Sequence, residues 1–231
     1  MGISMSGRTA LLAGGTGLVG SACMQALLED DAYERVVVLA RRDLPGPSST
    51  KLMLVRFAPE SLDSLALPAI TDVFCALGTT IRKAGSQQVF RQVDFELPMA
   101  VARLGLRLGA KSFVLCSSVG ADPASGNFYL RTKGELEHAL QALPFSSLRI
   151  LRPSILTGDR KDSRPGEAAG IWIGRLLQFI MVGPLRRYRP VAAQKVGKAM
   201  VASVSDGATQ QGMTVYEYDA ICRLSRKGEP N

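Results

Sequence analysis

One glycine-rich stretch constrains this chain more than any other part of it. Gly14-Gly15-Thr16-Gly17-Leu18-Val19-Gly20 follows the apolar run at residues 9–13 and opens a segment, 18–28, whose apolar residues recur at helical spacing. Glycines at 14, 17 and 20 let the backbone turn tightly and come close to a neighbour that a Cβ would hold away. A helix starting at such a turn presents unpaired N–H groups, which favour an anion such as a pyrophosphate. The spacing G-x-x-G-x-x-G differs from the commoner G-x-G-x-x-G. Its place between the first strand and the first helix of an alternating chain makes it a nucleotide-site signal.

The alternation continues. Apolar, β-branched runs at 36–39, 52–57, 72–76, 113–116 and 148–151 read as buried parallel strands. Between the fourth and fifth strands lies a helical region, 86–108, in which Pro98 should kink or split the helix because it has no N–H to donate. Residues 127–140 read as the helix between strands five and six. The expected fold class is therefore α/β, a Rossmann-like doubly wound and mostly parallel sheet. After strand six, residues 157–169 read as a loop rich in Gly, Pro and charge. Two amphipathic helices at 170–182 and 190–204 and an outer strand at 213–218 follow. The chain is read as a single domain over 1–231, with 157–204 forming a small substrate-side cap in which Trp172 and Phe179 share a helix face, more plausibly as core than as a cleft wall.

Composition narrows the chemistry. With 46% hydrophobic residues the chain can bury a core without disulfides or metal, and with a single histidine, His138, it cannot build a multi-histidine metal site. His138 falls nine residues after Tyr129, about half a turn around the same helix, which removes it from any role beside that tyrosine. Cys23, Cys75, Cys116 and Cys222 form no C-x-x-C pair, and Cys75 and Cys116 read as small buried hydrophobes. No metal is expected, so hydroxyls, lysines, carboxylates or a cofactor must carry any catalysis.

The end of the second strand reads Ala40-Arg41-Arg42, where a site for NAD(H) would place an acidic residue against the ribose 2′-hydroxyl. Two guanidinium groups suit a 2′-phosphate, which makes NADP(H) the expected cofactor. Tyr129 and Lys133, four apart on a helix, project from one face. Ser117 and Ser118 stand at the C-terminal end of strand five, the edge where sites of open α/β sheets collect.

These elements together resemble the short-chain dehydrogenase/reductase superfamily in its atypical branch, and more closely the Tat-interacting-protein family of oxidoreductase-like proteins. The resemblance rests on the loop 14–20, Ala40-Arg41-Arg42, Cys75-Ala-Leu-Gly-Thr-Thr80, Cys116-Ser-Ser-Val-Gly-Ala121, Tyr129-Leu-Arg-Thr-Lys133-Gly-Glu135, Leu151-Arg-Pro-Ser154 and Ser163-Arg-Pro-Gly-Glu167, and it covers roughly residues 9–204. It implies that Tyr129 donates a proton to a substrate carbonyl, that Lys133 holds the nicotinamide ribose and eases loss of the phenol proton, and that Ser118, with Ser117 as the alternative, bonds the same carbonyl oxygen. Leu77, Gly78 and Thr79 would lie against the cofactor, and Pro153, Ser154 and Ile155 would wall the nicotinamide. The sequence departs from the superfamily at Val93-Asp94-Phe95, where many members have an Asn in the helix after strand four. Glu135 and Glu137 read as helix-surface charge.

Two readings follow: an NADPH-dependent reductase of a carbonyl or related group, and a cofactor-binding regulator that signals through a protein partner. The charge balance, 28 Lys+Arg against 20 Asp+Glu, is uneven, with ten basic and three acidic residues between Arg152 and Lys198. An anionic small-molecule substrate would suit that region. Nucleic acid is not expected, since no reading helix or stacking motif accompanies the charge. Without an apolar export or membrane-spanning segment the chain is expected to be soluble and cytoplasmic, as a monomer or homodimer.

Overall fold

A computed structural model of the protein describes residues 7–41, 49–158, 183–206 and 211–227. Seven strands, β1 (Arg8–Ala13), β2 (Tyr33–Ala40), β3 (Leu52–Arg56), β4 (Asp72–Cys75), β5 (Ser112–Cys116), β6 (Ser147–Leu151) and β9 (Gly212–Tyr216), form one sheet in the order β3-β2-β1-β4-β5-β6-β9. Every neighbouring pair in it is parallel. The expected doubly wound architecture is thus present. Its strand order reverses direction between β1 and β4, and at such a switch point the connecting loops part and leave a crevice. Two further strands, β7 (Leu156–Thr157) and β8 (Val191–Ala192), pair separately.

The central strands are covered on both faces, which is why they read as unbroken apolar runs. One layer packs Ala10, Leu12, Val36, Val38, Phe74 and Val114 of the sheet against α1 (Leu18–Glu29). The opposite layer packs Leu11, Val37, Val73, Phe113, Leu115 and Ile150 beneath the helices that follow β4 and β5.

The helical region after β4 is built in pieces: α2 (Ile81–Ala84), α3 (Gln87–Arg91), a π-helical turn (Gln92–Glu96) and α4 (Leu97–Arg107). The interruption expected at Pro98 takes the form of a π turn just before it. Lacking an N–H, Pro98 cannot bond the Asp94 carbonyl, and the chain absorbs this by widening one turn, in which the Leu97 N–H donates to the Gln92 carbonyl five residues back. Between β5 and β6 runs α5 (Phe128–Gln141), started by the Asn127 side chain, which accepts from the Leu130 N–H at 3.2 Å.

The segment expected to form a cap divides differently. Residues 159–182, with the helix expected at 170–182, Trp172 and Phe179, lie outside the described residues. The second helix, α6 (Ala193–Asp206), buries Val196, Ala199 and Met200 against Cys23, Met24 and Leu27 of α1. It therefore belongs to the layer that covers the sheet. Periodicity identified its apolar face, but not the surface that face would meet. The outer strand ends at Tyr216, and Tyr218 begins α7 (Tyr218–Leu224).

Candidate active site

Because the strands of the large sheet are all parallel, their C-terminal ends share one edge, and the loops from that edge converge. After β1 the chain turns at Gly14, whose φ of +92° lies in the left-handed region that favours glycine, and whose Cβ would stand 2.5 Å from the Ala76 carbonyl oxygen. A Cβ at Gly20 would fall 1.9 Å from the Gly14 oxygen. These two positions let α1 start against its own strand and let the 14–20 loop press on the loop after β4. Helix α1 carries no acidic residue in its first turn and no side-chain cap at Gly17, leaving its N-terminus open to an external anion.

Leu77, Gly78 and Thr79 follow β4 at this edge. A Cβ on Gly78 would lie 3.4 Å from Asp94 Oδ1 and 3.7 Å from Lys133 Nζ, so this loop rests directly on the lysine. Lys133 is buried on α5, with its Nζ 2.8 Å from Asp94 Oδ1, and Asp94 is fully buried. The contact is ionic and lies outside the geometry of a directed hydrogen bond. The other carboxylate oxygen, Oδ2, accepts from the Thr79 N–H at 2.8 Å. Burial, the largest influence, works against the Lys133 charge, and the groups facing it, Asp94 first and then Tyr129 and Cys116, together hold the ammonium above the ordinary lysine range.

Tyr129 lies one turn earlier on α5, its ring 5.7 Å from that of Phe90. The loop after β5 joins the same turn: the Asp122 N–H donates to the Leu130 carbonyl at 3.2 Å, and the Ala121 N–H to the Ser118 carbonyl at 3.1 Å. The two serines differ. Ser117 is buried and donates to Glu137, whereas Ser118 is partly exposed and its hydroxyl donates to the Val119 carbonyl at 3.4 Å.

Glu137 corrects the expectation that it is surface charge. It is buried, and besides Ser117 it accepts from Arg152, whose Nε lies 3.1 and 3.2 Å from its two oxygens. The spacing carried a signal for this, since 129, 133 and 137 are four apart and share one helix face. Glu135 fits the surface reading better, pairing with Arg91 where both are partly exposed. His138 is exposed, turned from the site. The Cys75 thiol is pushed up to about 12 and that of Cys116 to about 11, both by burial, which leaves neither a nucleophile near neutral pH.

The loop after β6 closes the edge. The Pro153 carbonyl accepts from the Val119 N–H at 2.9 Å, the Ser154 hydroxyl donates to the Arg189 carbonyl, and Ile155 is 65% exposed. Arg41 is exposed at the end of β2, and Arg42 lies outside the described residues. The basic C-terminal third contributes a separate groove of about 600 Å³ lined by Arg186, Arg189, Lys195, Arg223, Arg226 and Lys227 with Asp219. None of the residues just described around Tyr129 and Lys133 lines it. Arg186 pairs with Asp219 at 2.9 Å, and Lys227 pairs with Asp206.

Comparison with known proteins places this arrangement. A family model described as HIM1 matches residues 48–173. Protein HTATIP2 of Rattus norvegicus is 34% identical over 233 residues, covering 97% of this chain and 92% of that protein. The chain belongs to the HIM1 family. The similarity to HTATIP2, the Tat-interacting protein, bears out the family resemblance read from the motifs. Other relatives of this HIM1-family chain include the protein FMP52, mitochondrial, of Candida glabrata, 33% identical over 199 residues and covering 85% of each chain. Such names overturn the cytoplasmic expectation. Hydropathy, on which that expectation rested, does not address import into an organelle. No helix among the described residues is long and apolar enough to cross a membrane.

Solved structures share the fold. MoeE5, in complex with UDP-glucose and NAD, superposes with a TM-score of 0.63 at 18% identity, over 96% of this chain and 81% of that one. The human epimerase family protein SDR39U1, with NADPH, gives 0.62 at 16% identity, over 91% and 74%.

Proposed function

We propose that this HIM1-family chain is an NADP(H)-dependent oxidoreductase of the atypical short-chain dehydrogenase type, reducing a carbonyl or related group on a small molecule. The observation that carries this reading is the unbroken run of contacts from Gly14 to the loop at 76–78 and from Gly78 to Lys133, with Tyr129 one helical turn away. The residues fit a dinucleotide: the 14–20 loop and the uncapped start of α1 would hold the pyrophosphate, Leu77, Gly78 and Thr79 would flank it, Lys133 would hold the ribose, and Pro153, Ser154 and Ile155 would wall the nicotinamide. The nicotinamide, when bound, supplies hydride. The protein's own part is to bind, orient and move one proton. Tyr129 donates its phenol proton to the developing alkoxide, the Lys133 charge stabilises the phenolate left behind, and the Ser118 hydroxyl donates to the same oxygen.

The cofactor preference rests on Arg41 and Arg42, and fluorescence titration tests it. NADPH should bind at least about tenfold more tightly than NADH, and Arg41→Ala should weaken NADPH by roughly tenfold while leaving NADH unchanged. Equal affinity of the parent protein for both overturns the assignment. The two serines are distinguished by turnover: Ser117→Ala should keep it within about threefold, since that hydroxyl serves Glu137, and Ser118→Ala should lower it roughly tenfold or more.

A further inference from the structure

Asp94 is fully buried in the helical region after β4, and the structure gives each of its carboxylate oxygens a different task. Oδ1 meets Lys133 Nζ at 2.8 Å, and Oδ2 takes the Thr79 N–H, also at 2.8 Å. The lysine is on α5, the amide is in the loop after β4, and Asp94 belongs to neither element. It stands on the π-helical turn, a local irregularity that is uncommon in helices and concentrates at functional sites. We propose that Asp94 is a positioning residue, which from this turn keeps Lys133 charged and ties it to the β4 loop, so that the lysine is set before a dinucleotide arrives. This rests on the reading of Lys133 as the ribose-holding lysine.

Three considerations favour positioning over plain structural packing. A buried ion pair is a poor source of net stability, because desolvating two charges offsets most of their attraction, and an apolar pair of similar volume does as well. The pair also lies at the C-terminal edge of the sheet, among the loops that converge on Tyr129, rather than in either apolar layer. Finally, the charge depends on its partner. A lysine this buried, left alone, drops its proton, and buried lysines can titrate several units below their ordinary range. The other ionisable groups facing Lys133 are Tyr129 on its own helix, Cys116 on β5 and Cys75 on β4, and none of these, in its neutral form, can replace the carboxylate. A neutral lysine has one proton fewer to offer ribose hydroxyls and no charge with which to stabilise a phenolate.

The test follows the titration of Lys133 in the full chain with ¹³C-labelled lysine by NMR, identifying its resonance by its loss in Lys133→Met. Neither cofactor nor substrate is needed. In the parent, the Lys133 midpoint should lie above that of an exposed lysine; in Asp94→Asn, which keeps the shape and an acceptor for the Thr79 N–H, its midpoint should fall by about two units or more. An unchanged midpoint in folded Asp94→Asn overturns the proposal, since a merely structural role would lower stability without moving the lysine. If Asp94→Asn does not fold, the double variant Asp94→Asn/Lys133→Met decides. Recovery of the fold identifies the uncompensated lysine as the fault and supports the proposal, whereas continued unfolding makes Asp94 a structural residue and rejects it. Failure of the parent to bind any dinucleotide would reject the proposed function instead, and it is read in a separate titration.

Discussion

Replacing Tyr129 with Phe should lower turnover by about two to four orders of magnitude while leaving NADPH affinity within roughly twofold. The substitution removes one oxygen. The ring that remains can still pack beside Phe90, so the start of α5 and its link to the 118–122 loop should persist. Lys133 keeps its place because its ion pair with Asp94 and its contact with the Gly78 loop do not involve the phenol. The loss therefore falls on the proton delivered in the transition state, and kcat should drop with little change in cofactor binding. A panel of aldehydes, ketones and quinones, followed by loss of NADPH absorbance, would find a substrate for the comparison. Turnover retained by Tyr129→Phe would reject the role of the phenol. A parent protein that binds NADPH tightly yet reduces nothing in the panel would favour the regulatory reading.

The fold was readable because strands buried on both faces advertise themselves as β-branched, apolar runs. Where the reading slipped, the cause is local. Strand β2 begins at Tyr33, earlier than expected, because Glu34 and Arg35 are exposed and interrupt the apolar pattern before Val36. Tyr129 and Lys133 were readable because they obey helical spacing within one element. Glu137 obeys the same spacing, but a carboxylate on a helix reads as solvated, and its partners Ser117 and Arg152 come from other elements. Asp94 stands out in the sequence only as part of a departure from the superfamily pattern. The π turn shifts the phase of the helix there, so counting at 3.6 residues per turn misplaces it. Sequence periodicity therefore finds what one regular element arranges, and it misses what a phase shift or a long-range partner arranges.

The same limit hid a third buried carboxylate, at the opposite end of the sheet, and its removal should have the largest effect on stability. Asp72, the first residue of β4, is buried and gathers donors from three other strands of the sheet and from the residue before it. Arg8 of β1 reaches it with Nε at 2.8 Å and Nη2 at 2.7 Å, Thr71 with its hydroxyl at 2.8 Å, Tyr33 of β2 at 3.3 Å, and Ser112 of β5 through Oγ. Burial, reinforced by the Asp72 charge, pushes the Tyr33 phenol far above its ordinary range, so it remains a donor at any pH the fold survives. In Asp72→Ala the half-exposed Arg8 can turn to water, which limits its share of the cost. The Tyr33 and Ser112 hydroxyls cannot, and each would be left buried without this acceptor. Together with the lost ion pair this should cost about 3 kcal/mol, and at roughly 2–4 °C per kcal/mol for a domain of this size Tm should fall by about 6–12 °C. Tyr33→Phe, which removes one donor and keeps the edge-on ring contact with Phe74, should cost about 1 kcal/mol. NADPH affinity measured well below the new Tm should be unchanged, because the N-terminal ends of the strands lie a full strand length from Gly14 and Lys133. Unfolding followed by heat and by urea would check both variants, and an Asp72→Ala protein with the Tm of the parent would show that the donors find other partners.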